Sequence, residues 1–141
     1  MINMNSNDMT LKPVGYVSSP FKKRGDAPSQ GVQTNEISTI NIYEEYKDAI
    51  DGLSKGDYIF VLCWFDKSDR TVIKARRRGN PENPLQGVFS LRSPNRPNPI
   101  SLTLVEILEI EDSVLKVKGL EAFDNTPVVD IKPYSKTVDE K

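Results

Sequence analysis

Ile100-Ser101-Leu102-Thr103-Leu104-Val105-Glu106-Ile107-Leu108-Glu109-Ile110 is followed, across Glu111-Asp112, by Ser113-Val114-Leu115-Lys116-Val117-Lys118-Gly119-Leu120. Both runs are dominated by aliphatic and β-branched residues, the composition of strands. The first is apolar on both of its alternating faces, and the second is its hairpin partner. Successive side chains of a strand point to opposite faces. A strand apolar on both is central in a barrel, or it turns one face to another subunit; both readings stand.

Working outward, Tyr58-Ile59-Phe60-Val61-Leu62-Cys63-Trp64-Phe65 is an apolar run with few polar breaks, which predicts a strand buried on both faces. Residues 12–18, ended by Ser19-Pro20, residues 37–42 and residues 128–131 are further strands, joined by shorter ones at 71–75 and 87–91. Only residues 43–53 carry helical spacing, with Tyr43, Tyr46, Ala49, Ile50 and Leu53 on one side and Gly52 and Gly56 marking the end. Many short strands with one helix predict an all-β fold, a small, mainly antiparallel, closed β-barrel with one short helix. Residues 1–10 read as a disordered lead-in, 11–135 as the barrel domain and 136–141 as a short polar tail.

Composition narrows the chemistry. A chain of 141 residues is long enough for one domain with a real core. Nineteen basic residues against twenty acidic ones advertise no nucleic-acid partner globally, so any basic surface is local. Histidine is absent, which removes His triads, His acid–base catalysis and His metal sites. The single Cys63 lies within the apolar run and reads as a small hydrophobe. One cysteine cannot form an intrachain disulfide, and this usage fits a reducing compartment. No stretch approaches the roughly 18 apolar residues of a membrane helix, and residues 1–10 carry no hydrophobic signal region. The expectation is a cytoplasmic protein without membrane or metal.

Arg92-Ser93-Pro94-Asn95-Arg96-Pro97-Asn98-Pro99 holds three prolines, two arginines and two asparagines. Proline fixes its own φ and pushes the preceding residue to extended conformations. A stiff loop presenting guanidinium and amide groups suits an anionic or polyfunctional ligand, and equally an ordinary rigid loop. Arg76-Arg77-Arg78 and Lys22-Lys23-Arg24 are solvated faces or phosphate contacts. Asp124-Asn125-Thr126-Pro127 reads as a turn, with Asp124 placed to accept from nearby backbone donors. Asp130, inside the last strand, needs a partner if buried. Arg92 or Arg96 would serve, making Asp130 structural rather than catalytic. Gly-x-Gly-x-x-Gly after a strand, Gly-x-x-x-x-Gly-Lys-Ser/Thr, Cys-x-x-Cys and His-Glu-x-x-His are all missing, so neither a Rossmann site, a P-loop nor metal catalysis is expected.

Three segments together carry a resemblance. Val14-Gly15-Tyr16-Val17-Ser18-Ser19-Pro20-Phe21-Lys22, then Gly87-Val88-Phe89-Ser90-Leu91-Arg92-Ser93-Pro94-Asn95-Arg96-Pro97-Asn98-Pro99-Ile100, then Asp124-Asn125-Thr126-Pro127-Val128-Val129-Asp130-Ile131-Lys132-Pro133-Tyr134 resemble the TrmO (YaeB/TsaA-like) family, in the family's order. The resemblance runs from about residue 11 to residue 135. It implies a β-barrel methyltransferase that uses S-adenosylmethionine, works as a homodimer and methylates N6 of the threonylcarbamoyl-adenosine next to the tRNA anticodon. It further implies cofactor contacts at Gln30, Gly31, Val32, Asp66, Lys67, Arg92, Leu102, Asp124, Asn125, Thr126 and Pro127. Within it, Arg76, Arg77, Arg78 and Arg96 become candidates for touching RNA, and Arg92 the clamp for the methionine carboxylate. The resemblance identifies no general base. The family's usual His is Asp66 here, and its Asp-Gly-Thr-Pro is Asp124-Asn125-Thr126-Pro127. Longer bacterial members continue into a C-terminal domain that the short form lacks. Two other functions therefore stand beside tRNA methylation: methylation of a small metabolite, and non-catalytic binding of S-adenosylmethionine.

Overall fold

The computed structural model describes residues 8–20 and 36–140. Six strands close into a barrel: β1 (Gly15–Ser18), β2 (Ile37–Ile42), β3 (Tyr58–Trp64), β6 (Ile100–Glu111), β7 (Val114–Lys118) and β8 (Pro127–Pro133). Around the barrel the order is β1-β2-β7-β6-β3-β8, with β8 returning to β1 and every pair antiparallel. Between β3 and β6 the chain leaves the barrel to form a two-stranded ribbon, β4 (Lys74–Arg76) with β5 (Leu85–Gly87). A single α-helical turn, α1 (Lys136–Asp139), follows β8 where the sequence suggested only a polar tail. The all-β closed barrel expected from the strand pattern is the architecture found.

Strand parity fills the barrel. From β3, Ile59, Val61 and Cys63 point inward and are fully buried, beside Val105 and Ile107 of β6, Leu115 and Val117 of β7, Ile40 of β2 and Val17 of β1. Burial pushes the Cys63 thiol up to about 12, so it acts as a hydrophobe. Two bulges change which residues face in. In β6 the register shifts between Ile107 and Glu109, so Leu108 is extra and Ile110 packs on the core opposite Leu115. In β8 Val128 pairs with Cys63 and Asp130 with Leu62, leaving Val129 extra; Val128 is buried and Asp130 is turned out.

Five expectations change, the first being that the strand expected at 71–75 forms only at Lys74–Arg76. The run at 58–65 is not buried on both faces: Tyr58, Phe60, Leu62 and Trp64 line the outside of the barrel and are exposed or half-buried. β1 starts at Gly15, not residue 12. Residues 43–53 form a 3-10 helix at Glu44–Ile50 rather than an α-helix. Tyr43, Tyr46 and Ala49 recur every three residues, the 3-10 period, and Tyr46 N donates to Tyr43 O at 2.9 Å. The strand expected at 87–91 ends at Gly87, because Val88–Ser90 coils into one 3-10 turn held by Ser90 Oγ donating to Gly87 O at 2.7 Å.

Candidate functional site

Antiparallel neighbours send successive connections to opposite ends of a barrel. Ser19, Pro20 and Glu36, the described ends of connection 19–36, therefore lie at one end together with connections 65–99 and 119–126, and 43–57 and 112–113 lie at the other. Every connection residue singled out above for cofactor contact lies on the first set. Gln30, Gly31 and Val32 belong to the first connection and lie outside the described residues, as do Lys22, Lys23 and Arg24. Asp66 and Lys67 are exposed at the exit of β3, Arg92 is exposed in the proline-rich loop, and Asp124, Asn125, Thr126 and Pro127 lead into β8. Leu102, three residues into β6, is 47% exposed on the outer face.

The third connection is laced to β1. Asn125 N donates to Val17 O at 2.7 Å, and Val17 N to Thr126 O at 3.0 Å. Asp124 Oδ1 accepts from Ser19 N at 2.9 Å, across 105 residues of chain. Thr126, buried, donates through Oγ1 to Phe123 O at 2.7 Å. Asn125 takes the left-handed backbone at φ 70°, a conformation Asn tolerates better than most residues. The turn reading of Asp124 is thus visible in its own hydrogen bond.

In the proline-rich loop most polar groups turn inward to hold the loop. Arg96 Nη1 donates to Leu91 O at 2.9 Å and Ser93 O at 3.2 Å. Asn95 Oδ1 accepts from Asp69 N at 2.9 Å. Asn98 Oδ1 accepts from Arg70 Nη2 at 3.0 Å, while Arg70 Nε donates to Pro97 O at 2.7 Å. The same guanidinium lies 5.0 Å from the centre of the Trp64 ring, a cation–π contact that ties the loop to the barrel wall. Thr71 donates its hydroxyl and its N–H to Asp69, which holds that carboxyl below its ordinary range. Arg92 is the exception: it has no hydrogen-bond or ion-pair partner among the described residues.

The expected Arg96–Asp130 pair does not form. The β8 bulge turns Asp130 outward, where its Oδ1 accepts from Ile131 N at 2.8 Å, and neither Arg92 nor Arg96 reaches it. Sequence reasoning missed Arg70 entirely. Asp66-Lys67-Ser68-Asp69-Arg70 reads as a plain polar turn, and its partners lie 27 and 28 residues away.

Charge concentrates here. Connection 66–99 contains Lys67, Arg70, Lys74, Arg76, Arg77, Arg78, Arg92 and Arg96 against Asp66, Asp69 and Glu82, a net +5 in a chain of net −1. Arg76 Nη1 donates to Asn83 O at 2.6 Å, which braces the ribbon. Arg77 and Arg78 leave their guanidinium groups exposed, with Arg78 at φ 56° at the ribbon's tip. Within the third connection, partial burial raises the Glu121 carboxyl above its ordinary value.

A cavity of about 410 Å³ lies at the opposite end, lined by Val14, Ile42, Ile50, Leu53 and Ile131 with Asp51, Asp57 and Asp130. None of the expected cofactor residues touches it. At the first end lie the unpartnered Arg92 guanidinium and the backbone turn at Asp124–Pro127 fixed by hydrogen bonds, with Leu102 exposed on the outer wall nearby in β6.

Residues 16–140 match the model of the tRNA-methyltransferase O N-terminal domain. The chain is 48% identical over 136 residues to a probable S-adenosyl-L-methionine-binding protein of Methanothermobacter thermautotrophicus, covering 96% of this chain and 97% of that one. It is 47% identical over 131 residues to an S-adenosyl-L-methionine-binding protein of Archaeoglobus fulgidus, covering 93% of each. The crystal structure of TrmO from Pseudomonas aeruginosa superposes with a TM-score of 0.76 at 26% identity, covering 95% of this chain and 59% of that chain. The chain thus spans about three-fifths of that TrmO.

Proposed function

The chain belongs to the tRNA-methyltransferase O N-terminal domain family, and from that premise we propose that it binds S-adenosylmethionine at the end of the barrel that carries connections 65–99 and 119–126 and transfers its methyl group to N6 of threonylcarbamoyl-adenosine in tRNA. The observation that carries the reading is Arg92: in a loop where Asn95, Arg96 and Asn98 hold the loop itself, this guanidinium remains open. It fits a carboxylate, by charge-assisted hydrogen bonds. The backbone groups of Asp124 to Pro127 hold the adenine end, and Leu102 supplies the apolar wall.

The cofactor supplies an electrophilic methyl on a sulfonium. The protein's part is to hold the acceptor nitrogen in line with that methyl. As the N–C bond forms, the methyl–sulfur bond would break to leave a neutral thioether and the nitrogen would shed its proton to solvent, so positioning and electrostatics carry the acceleration. Exposed Arg77 and Arg78 grip phosphates without reading bases. The protein works as a homodimer through the exposed apolar strip of Ile100, Leu102 and Leu104 beside Phe60, Leu62 and Trp64. Leu104→Lys then gives a monomer in sedimentation; an unchanged mass removes that interface.

The deciding experiment incubates the protein with methyl-labelled cofactor and total tRNA from a strain lacking the native modification. Label in the tRNA adenosine is the expected result. Calorimetric cofactor binding without label in tRNA favours a second reading, a cofactor-binding protein that performs no transfer. Its support is that full-length relatives of this size carry the name of binding proteins.

A further inference from the structure

Phe89 is 90% exposed, more than any other aromatic side chain among the described residues. A ring this exposed adds little packing to the fold. Its support, in contrast, is rigid. Val88 and Leu91 on either side of it are buried. Val88 N donates to Ile73 O at 3.0 Å, Ser90 Oγ to Gly87 O, and Arg96 Nη1 to Leu91 O at 2.9 Å. The ring is held out of the protein by a preordered turn.

Its surroundings select the partner. Phe89 sits three residues before Arg92, inside the connection that carries net +5 while the rest of the chain carries −6. A cationic surface attracts a polyanion, and an aromatic face within it stacks an unpaired base. Single-stranded loops are where RNA presents unstacked bases to aromatic side chains. We propose that Phe89 is an acceptor-binding residue, the platform on which an unpaired base of the RNA stacks beside the cofactor end of the barrel. The inference rests on the RNA-methylating reading above.

The test uses the full chain as Phe89→Ala, Phe89→Leu and Phe89→Trp. The probe is an anticodon stem–loop RNA with 2-aminopurine in its loop, read by anisotropy and by the fluorescence quenching that stacking produces. Phe89→Ala is expected to weaken RNA binding about 5- to 150-fold, the loss of one base–aromatic stack, and to abolish quenching. Phe89→Trp keeps both, and Phe89→Leu restores neither. Cofactor affinity by calorimetry and mass by sedimentation stay unchanged. Wild-type affinity and quenching in Phe89→Ala overturn the proposal. So does full rescue by Leu, which would mean apolar bulk alone, or a fall in mass, which would seat the ring in a second copy of the chain. A wild-type protein that leaves the probe unaffected overturns it whatever its methyl transfer. A wild-type protein that stacks the probe but transfers no methyl sustains it while removing the enzymatic reading.

Discussion

The two ends of the barrel are closed by different physics. At the cavity end, connection 43–57 carries Glu44, Glu45, Asp48, Asp51 and Asp57 against Lys47 and Lys55, a net −3, and it holds on by packing Tyr46, Ile50 and Leu53 against the core. The hairpin there turns through Asp112 and Ser113, with Asp112 at φ 55° and ion-paired to Lys47. At the other end connection 65–99 is long and basic, and polar groups hold it and connection 119–126 by bonds that reach across 27 and 105 residues of chain. Apolar packing at the cavity end leaves a cavity whose lining includes the carboxylates of Asp51, Asp57 and Asp130 and no cation. Polar lacing consumes Asn95, Arg96, Asn98 and Arg70 and, within the proline-rich loop, leaves the Arg92 guanidinium unanswered. The cavity lined by Val14, Ile42, Ile50 and Leu53 and the basic, polar-laced surface lie at opposite ends, and that surface is the functional candidate.

That contrast breaks if changes at one end produce the effects expected of the other. The largest effect is expected from Arg92→Ala. Losing a charge-assisted contact to a carboxylate weakens cofactor binding about 10- to 100-fold, with the thermal midpoint unmoved, by calorimetry and differential scanning. Next is Gly15→Ala at the cavity end. A Cβ at Gly15 would overlap the carbonyl oxygen of Asn41 on the paired strand. Such overpacking destabilises by about 1–3 kcal/mol, read by urea titration, while the folded fraction keeps its cofactor affinity.

Arg70→Ala sharpens the contrast. It removes two hydrogen bonds to Pro97 and Asn98 and the contact with Trp64. Both stability and cofactor affinity should fall, each by about 1 kcal/mol, with amide exchange faster in the proline-rich loop and unchanged in the 3-10 helix. A change confined to stability would make Arg70 part of the barrel wall only. The smallest effect is Glu121→Gln. A carboxyl raised above its ordinary value favours the fold fully below the unfolded-state pKa, and that contribution is lost as pH rises through the folded value. Gln at this position should therefore raise the midpoint slightly at neutral pH and give no gain in acid.

Much of the barrel was legible because strand chemistry is local. Alternation at 37–42 and the paired runs around residue 112 need no knowledge of the rest of the chain. Parity across the bulges was not legible. Nothing local to Leu108 or Val129 announces that one residue is looped out, yet those residues decide that Ile110 faces in and Asp130 faces out. The apolar outer face at Leu102 and Leu104, the latter 41% exposed, had left two readings open. β6 is central in the barrel and still keeps an uncovered apolar side, since closure satisfies its hydrogen bonds and its inner face only. Within the candidate site, Arg92 and Arg96 look equivalent in sequence, each preceding a Ser-Pro or a Pro in one stiff loop. Only distances separate them.

The residue pattern by itself determined an all-β chain without histidine chemistry, a stiff basic loop and a turn at Asp124, because propensity, proline geometry and composition act over a few residues. Tertiary structure alone decided which of those groups are spent on holding the chain together. Arg96, Asn95 and Asn98 are spent; Arg92 and Phe89 are not. The reason is that a donor's availability depends on what lies within three ångströms of it, and those neighbours come from connections far apart in the chain.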